Sequence, residues 1–198
     1  MQAELVTART PLEFFRDQLE RAMQHQKVST SAFTEYYLVN LLAGSLRGEL
    51  LPRAEPGYDE TPLALLYARA LAAERAERAR LLRSLGDTTL FVAGFFADSL
   101  AGRLADFDYY RALGGRAYAR LSREERRGPG GEVFGELAAR FTEFADLLAE
   151  ISESSRLSGS SVSVLQLYER WLQTGSPRAA RLLAERGLAP VAGETREQ

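Results

Sequence analysis

Few residues in this chain are equipped for chemistry. There is no cysteine, and His25 is the only histidine, so thiolate metal sites, iron–sulfur clusters, cysteine nucleophiles and every two-imidazole site are excluded. A di-iron centre in a helical bundle needs Glu-x-x-His on two helices, and no acid stands three residues before His25. The candidates that remain are single groups in unusual surroundings. Asp98 lies among Phe95, Phe96, Ala97 and Leu100, and Asn40 lies among Leu38, Val39, Leu41 and Leu42. A carboxylate buried in such a run requires an arginine or hydroxyl partner. Gly114-Gly115 falls in mid-helix at a cost of about 1 kcal/mol each, which suits a backbone that must approach another helix or a flat ligand. In Tyr36-Tyr37 and Tyr109-Tyr110 neighbouring side chains point about 100° apart on a helix, so each pair offers one inward ring and one at the rim. Tyr37 and Tyr110 join Asp98 and Asn40 as pocket-lining candidates.

The elements that position these groups read as helices almost throughout. Thr10-Pro11-Leu12-Glu13 is a capping box with proline at the first helical position, and Leu12, Phe15, Leu19, Ala22 and Met23 form one stripe, predicting a helix over 11–26. Further helices are expected over 32–47, 62–85, 88–104, 107–121, 132–154, 162–173 and 177–186. Gly86 reads as the stop of the third, with Asp87 as cap of the fourth. Leu90 to Ala97 is apolar nearly all round and marks the buried centre. Ala93, Ala97 and Ala101 repeat at four-residue spacing beside Gly94 and Gly102, the mark of a close crossing. Gly128-Pro129-Gly130-Gly131 reads as a break. Val133, Leu137, Phe141, Phe144, Leu148 and Ile151 make the clearest single face in the chain. No window alternates with period two. The expected fold is all-α, a single-domain bundle over 1–157 with a helical hairpin over 162–187 packed on it and a tail at 188–198.

Charge narrows the function. At 198 residues the chain can bury roughly 70% of its unfolded surface without a staple. Its net charge of −2 argues against nucleic acid, including for the helix-turn-helix-like segment around 178–183. Neither a signal sequence nor an apolar run long enough to span a bilayer is present, so no membrane is expected and the location read from the sequence is cytoplasmic. Between 99 and 127, arginines 103, 111, 116, 120, 123, 126 and 127 face only four acids, whereas 132–153 has six acids and Arg140 alone. Such a division can drive self-association or hold a charged partner.

Two resemblances add to this. A single histidine early in the chain with a later glycine-rich helix, here His25 with Gly114-Gly115, is similar to helical haem oxygenases, which implies haem held by His25 beneath those glycines. Gln26-Lys27-Val28-Ser29 and Arg111 to Arg116 depart from that family's motifs. Phe95-Phe96 through Asp108-Tyr109-Tyr110 to Ala117-Tyr118, with Leu167-Tyr168-Glu169-Arg170-Trp171-Leu172 and Thr174-Gly175-Ser176, resembles a group of roughly 200-residue helical bacterial proteins. That likeness implies no catalytic residue. The expected function is therefore binding: a protein partner or a second copy as a homodimer. The alternative is a small molecule or haem in a pocket between the helices at 11–26, 88–104 and 107–121.

Overall fold

Helix α1, Pro11–Gln26, begins on the capping box read from the sequence. The Thr10 hydroxyl accepts from the Glu13 backbone N–H at 3.3 Å, and the Glu13 carboxylate accepts from the Thr10 N–H at 2.8 Å. It ends where Lys27 turns left-handed at φ 56°, so that its N–H and that of Val28 close on the last carbonyls. The computed structural model describes residues 10–46, 63–95, 104–126, 128–157, 181–184 and 188. After α1 come α2 (Ala32–Leu46), α3 (Leu63–Ala72), α4 (Arg75–Phe95), α5 (Leu104–Glu124), α6 (Pro129–Ala139) and α7 (Phe141–Leu157). The fold is an all-α bundle, with no strand among the described residues. Of the expected C-terminal hairpin only a turn at 181–184 and Leu188 is described; Leu183 and Leu188 are buried in the core.

The core forms where the apolar stripes meet. Phe15 and Leu19 of α1, Leu38 and Leu42 of α2, and Leu82, Leu85 and Leu90 of α4 are almost fully buried. The stripe from Val133 to Ile151 is buried along its whole length. Glycines let α4 sit close to its neighbours. A Cβ on Gly94 would lie 2.5 Å from Leu148 Cβ and 2.7 Å from the Ala145 carbonyl, so at this glycine the chain crosses close against α7; Ala97, Ala101 and Gly102 of the small-residue row lie outside the described residues.

Three expected boundaries are corrected. Gly86-Asp87 does not separate two helices, because α4 runs through it. The Tyr118 ring occupies the place of a Gly86 Cβ, at 2.6–2.8 Å, so this glycine makes room for a side chain and ends nothing. The actual break falls at Ala73-Glu74, inside a run of high helix propensity. There the Arg78 guanidinium donates to the Ala73 carbonyl at 3.1 Å and pairs with Glu124 of α5 at 3.1 Å, so tertiary charge overrides local preference. The expected helix over 132–154 starts earlier, at Pro129, and divides at Arg140. The glycines at 130 and 131 lie inside α6, where a Gly131 side chain would meet the Glu125 carbonyl at 2.7 Å. Arg140 fastens the corner by donating to Glu136 at 2.7 Å, Glu143 at 2.8 Å and the Ser29 carbonyl at 2.8 Å.

Candidate functional site

Asp87 of α4 sits in the interior of a helix, where a short carboxylate is a poor helix former. It is held by two phenols: Tyr37 of α2 donates to its Oδ1 at 2.6 Å and Tyr118 of α5 donates to the same oxygen at 2.7 Å. Phe134 of α6 backs both rings, edge-on to Tyr37 at 5.5 Å and stacked on Tyr118 at 5.9 Å. The Arg83 guanidinium covers Phe134 at 5.2 Å. Burial pushes the Asp87 carboxyl up to about 6, against the pull of the two hydroxyls and Arg83. Burial, followed by the charge of Asp87, raises both tyrosines well above their ordinary value, so they remain protonated donors. Three helices thus meet at one carboxylate oxygen, with α6 packed behind the two rings. Both phenolic protons are committed to it, and the assembly reads as an interior tie.

A second assembly opens to solvent. One face of α5 carries Arg111, Arg116 and Arg123 around Ala112, Gly115 and Ala119, and this face lines a cleft of about 340 Å³. Ala138 and Ala139 at the end of α6, Phe141 and Thr142 at the start of α7, and Tyr67 of α3 complete its lining. The Arg140 corner that separates α6 from α7 places these short residues opposite α5. Local acids neutralise the arginines unequally. Arg111 is paired with Asp108 at 3.0 Å, and Arg123 donates its Nε to the Ala119 carbonyl at 3.1 Å. Arg116 has no hydrogen-bond or ion-pair partner among the described residues. Arg120, on the same helix, is spent on Glu124 at 2.9 Å. The cleft is therefore a cationic surface with free donors above a floor of small side chains, an arrangement that suits phosphate or carboxylate.

The residues singled out from sequence fall in different places. Tyr37 is in the Asp87 tie. Tyr110 is partly buried and edge-on to exposed Tyr109 at 5.6 Å, so that pair divides as read, as do buried-side Tyr37 and outward Tyr36. Asn40 donates to the Tyr36 carbonyl one turn back, at 2.7 Å. Asp98 lies outside the described residues. Gly114 is packed, its Cβ position overlapping Thr89 Oγ1 and lying 2.5 Å from the Phe141 ring, whereas adjacent Gly115 faces the cleft, with only the Ala138 carbonyl within reach, at 3.8 Å. His25 is 80% exposed, with Nδ1 3.1 Å from Glu150, and is not among the residues lining that cleft. The space over Gly114 is filled by Thr89 and Phe141, and the His25 ring lies against the Glu150 carboxylate.

Asp87 was read as a cap, and nothing local to it shows the phenols 50 and 31 residues away. The cleft had a signal, the arginine excess between 99 and 127; its helical arc 111, 112, 115, 116, 119, 123 spans about 140° at 100° per residue. It shares α5 with the pocket expected from sequence, but its other walls come from α3, α6 and α7. No cluster of three metal-binding side chains occurs among the described residues, and none of the described helices is long and apolar enough to cross a membrane. Comparisons with protein-family models, with curated proteins and with solved structures each return no match.

Proposed function

We propose that this protein works by binding a small anionic ligand in the arginine cleft of α5. The observation that carries the reading is Arg116, a cation lining the cleft with no partner among the described residues, between two further arginines on the same face. Hydrogen bonds to charged groups are worth about 1.5–3 kcal/mol, so losing one such contact weakens binding about tenfold or more. Calorimetric titration of the full chain with inorganic phosphate and pyrophosphate tests it. The expected result is saturable binding, weaker by about tenfold in Arg116→Ala, and weaker in high salt because an exposed site is screened. Binding that is absent, or indifferent to Arg116, overturns the reading.

A second reading, self-association, draws on Phe33 and Tyr36. These rings stand outward one turn apart on α2, 60% and 63% exposed. A homodimer that covers them is tested by light scattering across a concentration series, with Phe33→Ser as the variant expected to remain monomeric. A strict monomer at all concentrations removes this reading.

A further inference from the structure

We propose that the ligand of the cleft is a phosphate ester of a flat aromatic ring, about the size of a mononucleotide, and not a bare inorganic anion. This rests on the anion-binding reading above and specifies its ligand. Free anions need donors only, and an open arginine surface supplies them without a cavity. Here the donors border a floor in which no side chain extends past Cβ: Ala112, Gly115 and Ala119 from α5 and Ala138 and Ala139 from α6. Such a floor is low, and a planar ring can lie flat on it where a branched group would leave gaps. Tyr67 and Phe141 add aromatic edges to the lining. The volume of about 340 Å³ lies at the small end of the range for ligand pockets, enough for one ring system and its substituent.

The arginine spacing favours phosphate over carboxylate. Arg116 and Arg123 are seven residues apart, about 10.5 Å along the axis, with Ala119 between them on the cleft side and Arg120, on the other side, drawn to Glu124. A carboxylate is satisfied by one planar fork; a phosphate monoester presents three acceptor oxygens and close to two charges, which two forks can share. Thr142, also in the lining, offers a hydroxyl to the remaining acceptors.

The test is calorimetry of the full chain with four probes: adenosine 5′-monophosphate, phenyl phosphate, adenosine and inorganic phosphate. The proposal expects at least one of the two aromatic phosphates to bind tenfold or more tighter than inorganic phosphate, and adenosine to bind more weakly than its phosphate. Gly115→Leu raises a side chain from the floor where a Cβ meets only the Ala138 carbonyl at 3.8 Å. This variant should fold and bring the aromatic phosphates down to the level of inorganic phosphate. Equal affinity of all three phosphates, unaffected by Gly115→Leu, overturns the ring and leaves the anion site standing. Adenosine binding as tightly as its phosphate overturns the phosphate assignment. If no phosphate binds at all, the anion reading falls and this inference with it.

Discussion

The Asp87 tie and the arginine cleft both draw on α5, and they treat charge in opposite ways. Around Asp87 the chain supplies every donor itself: Tyr37 and Tyr118 meet one oxygen at 2.6 and 2.7 Å, with Phe134 packed behind them. At the cleft, Asp108 engages Arg111, but Arg116 is left without a partner over a floor of alanine and glycine. A buried charge that its own fold satisfies contributes to specifying that fold. A cation left unsatisfied beside open space has donors available to something else. The adjacent glycines repeat the contrast in miniature, Gly114 pressed against Thr89 and Phe141 and Gly115 open to the cleft.

The largest expected effect breaks the packed side of this comparison. Gly114→Leu drives a side chain into Thr89 and Phe141, both in the core, and should cost upwards of about 4 kcal/mol, at the high end for overpacking. Thermal melts would show a collapsed midpoint or no folded protein; a variant that folds normally would mean the position is open after all. Next comes Asp87→Ala, which strands two buried hydroxyls at about 1–3 kcal/mol each but also removes the unfavourable burial of the carboxylate, and should lower stability by a net of about 2–3 kcal/mol in urea titration. Asp87→Asn keeps a carbonyl to accept from both phenols and should change stability at pH 7.5 by no more than about 1 kcal/mol.

A smaller effect of known sign follows from the same carboxyl. Its value in the fold, about 6, lies above the ordinary 3.8, so the folded chain holds the proton more tightly than the unfolded chain. The stabilisation is complete below about pH 4 and is lost as pH rises through 6. Between pH 7.5 and 5.5 the gain should be about 1 kcal/mol. Glu136 and Glu143 titrate the other way. Glu136 is held low by hydrogen bonds from Thr30, Thr34 and Arg140 that outweigh its burial, and Glu143 by its bond from Arg140. Both act below their ordinary 4.5, outside that window. Paired urea midpoints at the two pH values check this: the acid gain should be present in the wild-type chain and absent in Asp87→Asn. A gain that persists in Asp87→Asn would place the titrating group elsewhere.

What the sequence showed of this molecule depended on range. The capping box at Thr10 and the stripe from Val133 to Ile151 are local patterns; the first is present as read, and the second is buried as read but shared by two helices that part at Arg140. Two of the misplaced boundaries share one cause, contacts distant in sequence. Gly86 reads as a stop until the Tyr118 ring is seen in its Cβ position, and the Ala-rich run at 72–80 reads as unbroken until Arg78 is seen reaching Glu124. The site behaves likewise. Tyr37 stood out by type, but its acid was hidden as a presumed cap. The arginine excess was visible, while which members would be neutralised was not, since that turns on Arg120 reaching Glu124 while Arg116 meets no acid.

The smallest expected effect separates the two glycines most sharply. Gly115→Ala adds a methyl whose nearest neighbour is the Ala138 carbonyl at 3.8 Å, an ordinary contact, so nothing must move. Replacing a mid-helix glycine by alanine lowers the entropy of the unfolded chain and should stabilise the fold by up to about 1 kcal/mol. That is opposite in sign to any substitution at Gly114. The same methyl brings position 115 only to the height of Ala112 and Ala119 beside it, so affinity for an aromatic phosphate should be little changed as the melting midpoint climbs. It is the longer leucine at 115 that rises above that floor. If stability falls instead, Gly115 is a packing residue like its neighbour, and the cleft loses its floor as an argument for a bound ring.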